Sequence, residues 1–201
     1  MADTRDEAHN AKMKKVKAAH DKIVASKTVE KGLIIVHTGP GKGKTSAALG
    51  MAIRAIGHDM KVGIVQFVKG AMATGEAAVF AKFDNVEFKP MGEGFTWETQ
   101  NRARDVEVTR VAWEEVKRMI ADPSYDMIIA DELNIVLRYD YLPVDEVLEA
   151  LAGKRDAAHV IITGRNAPDA LIAVADLVTE MALVKHPFRE QGVKAQAGIE
   201  F

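Results

Sequence analysis

Leu33-Ile34-Ile35-Val36-His37-Thr38-Gly39-Pro40-Gly41-Lys42-Gly43-Lys44-Thr45 is the stretch on which the fold turns. Its first four residues form a continuous apolar run rich in β-branched side chains, the pattern of a strand covered on both faces. Three glycines and two lysines follow, and from Thr45 to Ile56 the residues Ala47, Ala48, Leu49, Met51, Ala52, Ile53 and Ala55 predict a helix that packs closely and ends at Gly57. Between a strand and a helix, such a loop has a physical use. Successive backbone N–H groups can point inward at an anion while the helix N-terminus adds its dipole. Gly39, Gly41 and Gly43 permit that backbone path, Lys44 can reach phosphate oxygens, and the Thr45 hydroxyl can join the coordination of a magnesium ion. The usual pattern is G-x-x-x-x-G-K-[ST]; here Thr38 holds the first position and the first glycine falls one place later. A glycine-rich turn with exposed lysines is the plainer alternative, but the flanking strand and helix are what the motif requires. Gly39, Pro40, Gly41, Lys42, Gly43, Lys44, Thr45 and Ser46 are therefore the candidate nucleotide-binding residues.

Outward from the loop the same alternation repeats. Val62 to Phe67, Met127 to Ala130 and Val160 to Thr163 read as further buried strands, and Val106 to Ile120, Val144 to Leu151 and Pro168 to Ala175 as helices. Alternation of this kind predicts an α/β fold, P-loop NTPase-like (RecA-type), with a mostly parallel sheet and helices on both faces. Residues 1–30 are polar and lysine-rich, with Met13, Val16, Ile23 and Val24 as their large apolar side chains up to the last turn. They are expected to form a helical arm, solvated or laid on a partner; acids interspersed among the lysines weigh against a nucleic-acid arm. The domain is expected to span 31–201, with an extended C-terminal tail from Lys185 onward.

Composition narrows the possibilities. The chain has 201 residues, 48% of them hydrophobic, which suits one domain with a full core. A formal charge of −2 and a pI near 6.3 argue against general nucleic-acid binding. The absence of cysteine excludes disulfides, thiolate metal sites and a cysteine nucleophile. No signal-type or membrane-length apolar run occurs, so a soluble cytoplasmic protein is expected.

Further site candidates stand at strand ends. Asp131-Glu132 follows the strand Met127 to Ala130, where carboxylates can face a metal on a nucleotide; a cap on the helix beginning at Leu133 is the alternative for Asp131. Arg165, after Val160 to Thr163, is a candidate for nucleotide contact. His37 is expected to be a packed, hydrogen-bonded strand histidine and not a catalyst. Phe95 and Trp97 fall between Gly92, Gly94 and a helix starting near Glu98, and are read either as core or as groups that cover a ligand.

The chain resembles the P-loop ATP:corrinoid adenosyltransferases of cobalamin biosynthesis and salvage. The matching segments are Thr38-Gly39 with Gly41-Lys42-Gly43-Lys44-Thr45, Val65-Gln66-Phe67-Val68-Lys69-Gly70, Gly94-Phe95-Thr96-Trp97-Glu98-Thr99, Asp131-Glu132-Leu133-Asn134, Tyr139-Asp140-Tyr141-Leu142-Pro143, Ile161-Ile162-Thr163-Gly164-Arg165, Val184-Lys185-His186-Pro187-Phe188 and Gly192-Val193-Lys194-Ala195-Gln196. The displaced glycine is how this family's loop reads; Pro40 departs from it, standing where asparagine is usual. The resemblance implies an enzyme of the cob(I)yrinic acid a,c-diamide adenosyltransferase type. In that reaction a Co(I) corrinoid attacks the 5′ carbon of ATP and expels triphosphate, with Mg²⁺ or Mn²⁺ on the nucleotide. It implies catalytic roles for Lys44, Phe95 and Trp97, the two aromatics lying against the corrinoid and displacing an axial ligand of cobalt, and metal contacts for Thr45, Asp131 and Glu132. It also implies a reduced flavin or flavoprotein as electron donor, and a homodimer in which the helix Met13 to Val24 covers a partner's site. Lys185 and His186 match the family tail and either line the site or anchor that tail. An ordinary P-loop ATPase or kinase, or a module that delivers corrinoid without chemistry, are the competing readings.

Overall fold

A computed structural model describes residues 2–68, 74–92 and 101–200. Phe95 and Trp97, with Lys69 and Gly70 and the helix expected near Glu98, lie outside the described residues. Residues 1–31 form one compact unit and residues 32–201 another. The first consists of helix α1 (Ala2–Ala25), along which Met13, Val16, Ile23 and Val24 are all exposed.

The second unit is an α/β domain. Its strands are β1 (Ile34–Thr38), β2 (Val62–Gln66), β3 (Val86–Pro90), β4 (Met127–Asp131), β5 (His159–Thr163) and β6 (Leu177–Glu180). They form one sheet in the order β3-β2-β4-β5-β1-β6, every pair parallel. The helices are α2 (Lys44–Ile56), α3 (Gly75–Phe80), α4 (Arg102–Ala121), α5 (Leu133–Arg138), α6 (Val144–Ala152), α7 (Asp169–Val174) and α8 (Pro187–Gln191). The RecA-type expectation holds in one specific feature: β5 separates the loop strand β1 from the acid-bearing strand β4. Two strands escaped the sequence reading. β3 (Val-Glu-Phe-Lys-Pro) and β6 (Leu-Val-Thr-Glu) are the two edges, only half-buried or exposed, so neither shows the continuous apolar run that marked the four central strands. The tail, expected to be extended, instead carries α8, with Pro187 in its first turn where a missing N–H costs nothing.

Strand register builds the core in lateral rows. Ile64, Ile129, Ile161 and Ile35 stand side by side across β2, β4, β5 and β1. This row packs beneath α2, whose buried face is made of Ala48, Leu49, Ala52, Ala55 and Ile56. Alanines let the helix approach, and each buried isoleucine contributes about 1.5–3 kcal/mol. The opposite face carries Val36, Val65, Ile128, Ala130, Val160 and Ile162 against α4, α5, α6 and α7. Gly63 lies on that side, where an added Cβ would stand 2.4 Å from the Met119 sulfur of α4. Two residues beyond the isoleucine row, the same face of the sheet turns polar: Gln66, Asp131, Thr163 and His37 follow one another at the carboxyl ends of the strands. The site begins there.

Candidate functional site

Gly39 and Gly43 adopt φ of +96° and +102°, a region open to glycine at little cost. Gly43 is the N-cap of α2; no side chain caps this helix and its first turn holds no acid. Its first amides are therefore left for a ligand rather than consumed by the protein. The loop is fixed from below by the segment after β6. The Gly41 N–H donates to the Met181 carbonyl at 2.6 Å, and an added Cβ on Gly41 would meet the Ala182 and Met181 carbonyls at 2.5 and 2.6 Å. Pro40 faces solvent, and the neighbouring Gly41 amide is the one engaged with Met181, directly after β6.

Lys44 is only 6% exposed and folds over the loop, its ammonium donating to the Gly39 carbonyl at 2.9 Å and the Gly41 carbonyl at 2.5 Å. Burial lowers its pKa from the ordinary lysine value; the charge of Glu132 opposes that shift, and those of Arg165 and Lys42 add to it. Three cations and two acids, Glu132 and Asp131, thus act together at the loop, although Lys42 and Arg165 themselves are surface groups. The Lys42 ammonium is ion-paired with Glu200 of the tail. Ser46 is exposed on the first turn of α2. A groove beside the loop is lined by Lys42, His186, Phe188, Lys194, Gln196 and Glu200. His186 therefore stands beside the loop, while Lys185 is not among the groove's lining residues.

Asp131 is fully buried and closely held. Its Oδ1 accepts hydrogen bonds from the hydroxyls of Thr45 at 2.8 Å and Thr163 at 2.7 Å, and its Oδ2 from the Gln66 amide at 2.9 Å. The Thr163 hydroxyl in turn accepts the Glu132 N–H at 2.9 Å. This arrangement sets aside the helix-cap alternative for Asp131: the N-cap of α5 is Glu132, in the left-handed region at φ 62°, and no side chain caps that helix. The fold therefore brings Thr45 and Asp131 together and puts Glu132 next to them, as three oxygen donors. Among the described residues no cluster of three or more histidine, cysteine or acidic side chains could hold a metal by itself. The donor set fits a hard divalent cation that shares its coordination with phosphate oxygens and water.

His37 is packed as expected, 5% exposed, but neither ring nitrogen has a hydrogen-bond partner among the described residues, and burial lowers its pKa. Arg165 follows Gly164, whose φ of +128° and close approach to Asn134 turn the chain at the end of β5. The Asn134 amide donates to the Gly164 carbonyl at 3.1 Å, tying α5 to that turn. The sequence reading passed over Gln66 and Thr163 as site residues. Their signal is register: each stands beside Asp131 on a neighbouring strand, which no spacing along the chain reveals. Glu200 of the tail and Met181 after β6 were missed for the same reason, since the long-range return of these segments to the loop leaves no local mark.

A family model described as ATP:corrinoid adenosyltransferase BtuR/CobO/CobP matches residues 30–201. A corrinoid adenosyltransferase of Sinorhizobium sp. is 55% identical over 203 residues, covering 100% of this chain and 94% of its own. That of Pseudomonas aeruginosa is 48% identical over 98% of this chain and 97% of its own. The corrinoid adenosyltransferase CobA of Salmonella typhimurium is 47% identical over 98% of this chain and 99% of its own.

Proposed function

The chain belongs to the BtuR/CobO/CobP family of ATP:corrinoid adenosyltransferases, and from that membership we propose how its loop and its buried aspartate are used. The reaction transfers the 5′-deoxyadenosyl group of ATP to the cobalt of a reduced corrinoid. Cobalt(I) supplies the electron pair that forms the Co–C bond, the bond between C5′ and the triphosphate oxygen breaks, and triphosphate leaves with that bond's electrons. Because the metal substrate is the nucleophile, the protein needs no nucleophile of its own. Its task is to hold C5′ in line with cobalt and to stabilise negative charge on the leaving group.

Lys44, Lys42 and the amides of Gly39 and of Lys42 to Thr45 cradle the triphosphate, with Ser46 on the first turn of α2 and Arg165 on its open side. The loop then serves as a leaving-group cradle. Thr45, Asp131 and Glu132 hold the cation, Mg²⁺ or Mn²⁺, which when bound neutralises part of the triphosphate charge. The observation that carries this reading is the Thr45 hydroxyl bonded to Asp131 at 2.8 Å, which joins the loop to the acid strand. Phe95 and Trp97, outside the described residues, are proposed to cover the corrinoid and favour loss of its axial ligand. Replacing both by alanine should cripple turnover from Co(II) and spare turnover from chemically pre-reduced Co(I); equal losses in the two assays would remove that role. A reduced flavin or flavoprotein is proposed as electron donor. We further propose a homodimer, in which the exposed apolar residues Met13, Val16, Ile23 and Val24 of α1 meet a second copy.

The deciding experiment combines the protein with ATP, Mg²⁺ and reduced cobalamin, follows the corrinoid spectrum, and identifies the phosphate product. Triphosphate with a new Co–C bond is expected. ADP would indicate phosphoryl transfer or hydrolysis, and binding without a spectral change a delivery module.

A further inference from the structure

We infer that Gln66 is a positioning residue for the reaction: its side-chain amide sets the rotation of the Asp131 carboxylate, and through it the Thr45 hydroxyl, toward the cation carried by the triphosphate. The inference rests on the proposed metal role of Thr45 and Asp131.

Both hydroxyl bonds to Asp131, from Thr45 and Thr163, end on Oδ1. They locate one oxygen but leave the carboxylate plane free to turn, because the terminal torsion of aspartate is broad. The Gln66 N–H on Oδ2 is the contact that fixes the plane. An ionised carboxylate has about four acceptor positions, and these three bonds leave Oδ2 with capacity for a further partner, such as a cation or the water that cation carries. Thr45 is oriented by the same network. Its one hydroxyl proton is spent on Asp131, so its lone pairs are turned away from the acid and offered to a ligand.

The alternative is that Gln66 merely fastens β2 to β4, where its backbone already pairs opposite Asp131. Burial argues otherwise. Gln66 is 3% exposed, and because a carboxylate only accepts hydrogen bonds, the amide nitrogen must face Asp131. That leaves Oε1 buried without a hydrogen-bond partner among the described residues. An apolar side chain of similar size would fill this position between well-paired strands without stranding an acceptor. Among the described residues, the hydrogen bond that calls for a glutamine side chain there is the one its N–H gives to Asp131.

The test uses the full-length protein with Mn²⁺ as the probe, measuring Mn²⁺ binding to the protein–ATP complex by paramagnetic resonance, and ATP binding separately without metal. Gln66→Met keeps the length and removes the donor. It should weaken Mn²⁺ binding by about 10–100-fold, change metal-free ATP affinity by less than about twofold, and regain turnover as Mn²⁺ is raised. Gln66→Leu should behave alike, and serves if the methionine variant folds poorly as judged by thermal melting. Unchanged Mn²⁺ affinity with a lowered melting temperature would overturn the inference, as would equal losses in metal-free ATP and Mn²⁺ binding. Asp131→Asn separates the two levels: if it binds Mn²⁺ as the parent does, the metal reading itself fails, whereas a loss in Asp131→Asn with none in either Gln66 variant rejects only the role of Gln66.

Discussion

Lys44 shows what a single residue has to accomplish here. It is buried, its ammonium is satisfied by two loop carbonyls, and burial lowers its pKa from the ordinary 10.5. To act on a leaving triphosphate it must exchange those carbonyls for phosphate oxygens, a charge-assisted bond stronger than the one given up. Lys44→Ala should therefore lower kcat by about 10²–10³, the cost of removing one donor aimed at developing charge; turnover near the parent rate would show that the loop amides and Lys42 suffice. The lowered pKa has a direction that can be measured. Triphosphate binds the protonated lysine, so the apparent KM for ATP should rise with pH as the medium passes through the depressed pKa, at lower pH than an ordinary lysine would allow. Lys44→Arg, whose charge persists, should abolish that rise even where kcat suffers. His37 is the opposite case. Burial lowers its pKa, which favours the neutral imidazole, and among the described residues neither ring nitrogen has a hydrogen-bond partner, so none of them relays a proton to it.

At the scale of elements, the loop depends on a segment that follows it by more than a hundred residues. Gly41 lies against the carbonyls of Met181 and Ala182, directly after the edge strand β6, and donates to the first of them. Gly41→Ala must push backbone against backbone, and should cost about 1–3 kcal/mol of stability while weakening ATP binding. The same change at Gly50, in the middle of α2 with nothing within 4 Å of an added Cβ, should stabilise by about 0.5–1 kcal/mol through helix propensity. Opposite signs in thermal denaturation would confirm that the loop is shaped by the segment after β6 and not by glycine content alone. The four central strands and the long helices were legible in the sequence because continuous apolar runs and helical periodicity are local signals. β3, β6, α3 and α8 were not. The two strands are edges with no buried row of their own, and the two helices are single short turns whose stability comes from their neighbours.

Across the whole molecule, the sheet is held to its outer helix on one side by an ionic network. Glu87 of β3 bonds Lys89 at 2.8 Å, Arg118 of α4 at 2.8 Å, and the Tyr125 hydroxyl. Burial alone would raise the Glu87 pKa, but hydrogen bonds from Lys89, Tyr125 and Arg118 outweigh it and hold the group at about 2. A carboxylate depressed from 4.5 to about 2 contributes stability that is fully present above pH 4.5 and lost as pH falls through about 2. Glu87→Gln should thus flatten the loss of stability in that acid window, by on the order of 1 kcal/mol once solvent screening is allowed for; an acid-unfolding curve superimposable on that of the parent would show that the network is energetically idle. Among the described residues no helix is long and apolar enough to cross a membrane. The sequence by itself determined the strand–loop–helix, the parallel α/β class and the loop residues, because each is written in neighbouring positions whose backbone and side-chain preferences act locally. It also carried the family, through ordered segments spread over most of the chain. What only the tertiary structure decided is who holds whom: Asp131 by Gln66, Thr163 and Thr45, Gly41 by Met181, and Lys42 by Glu200. Those contacts join residues between 65 and 158 positions apart, save for the neighbouring strands' Thr163 at 32. Parallel strands place their carboxyl ends side by side through crossovers of variable length, so the register that aligns them leaves no periodic trace along the chain.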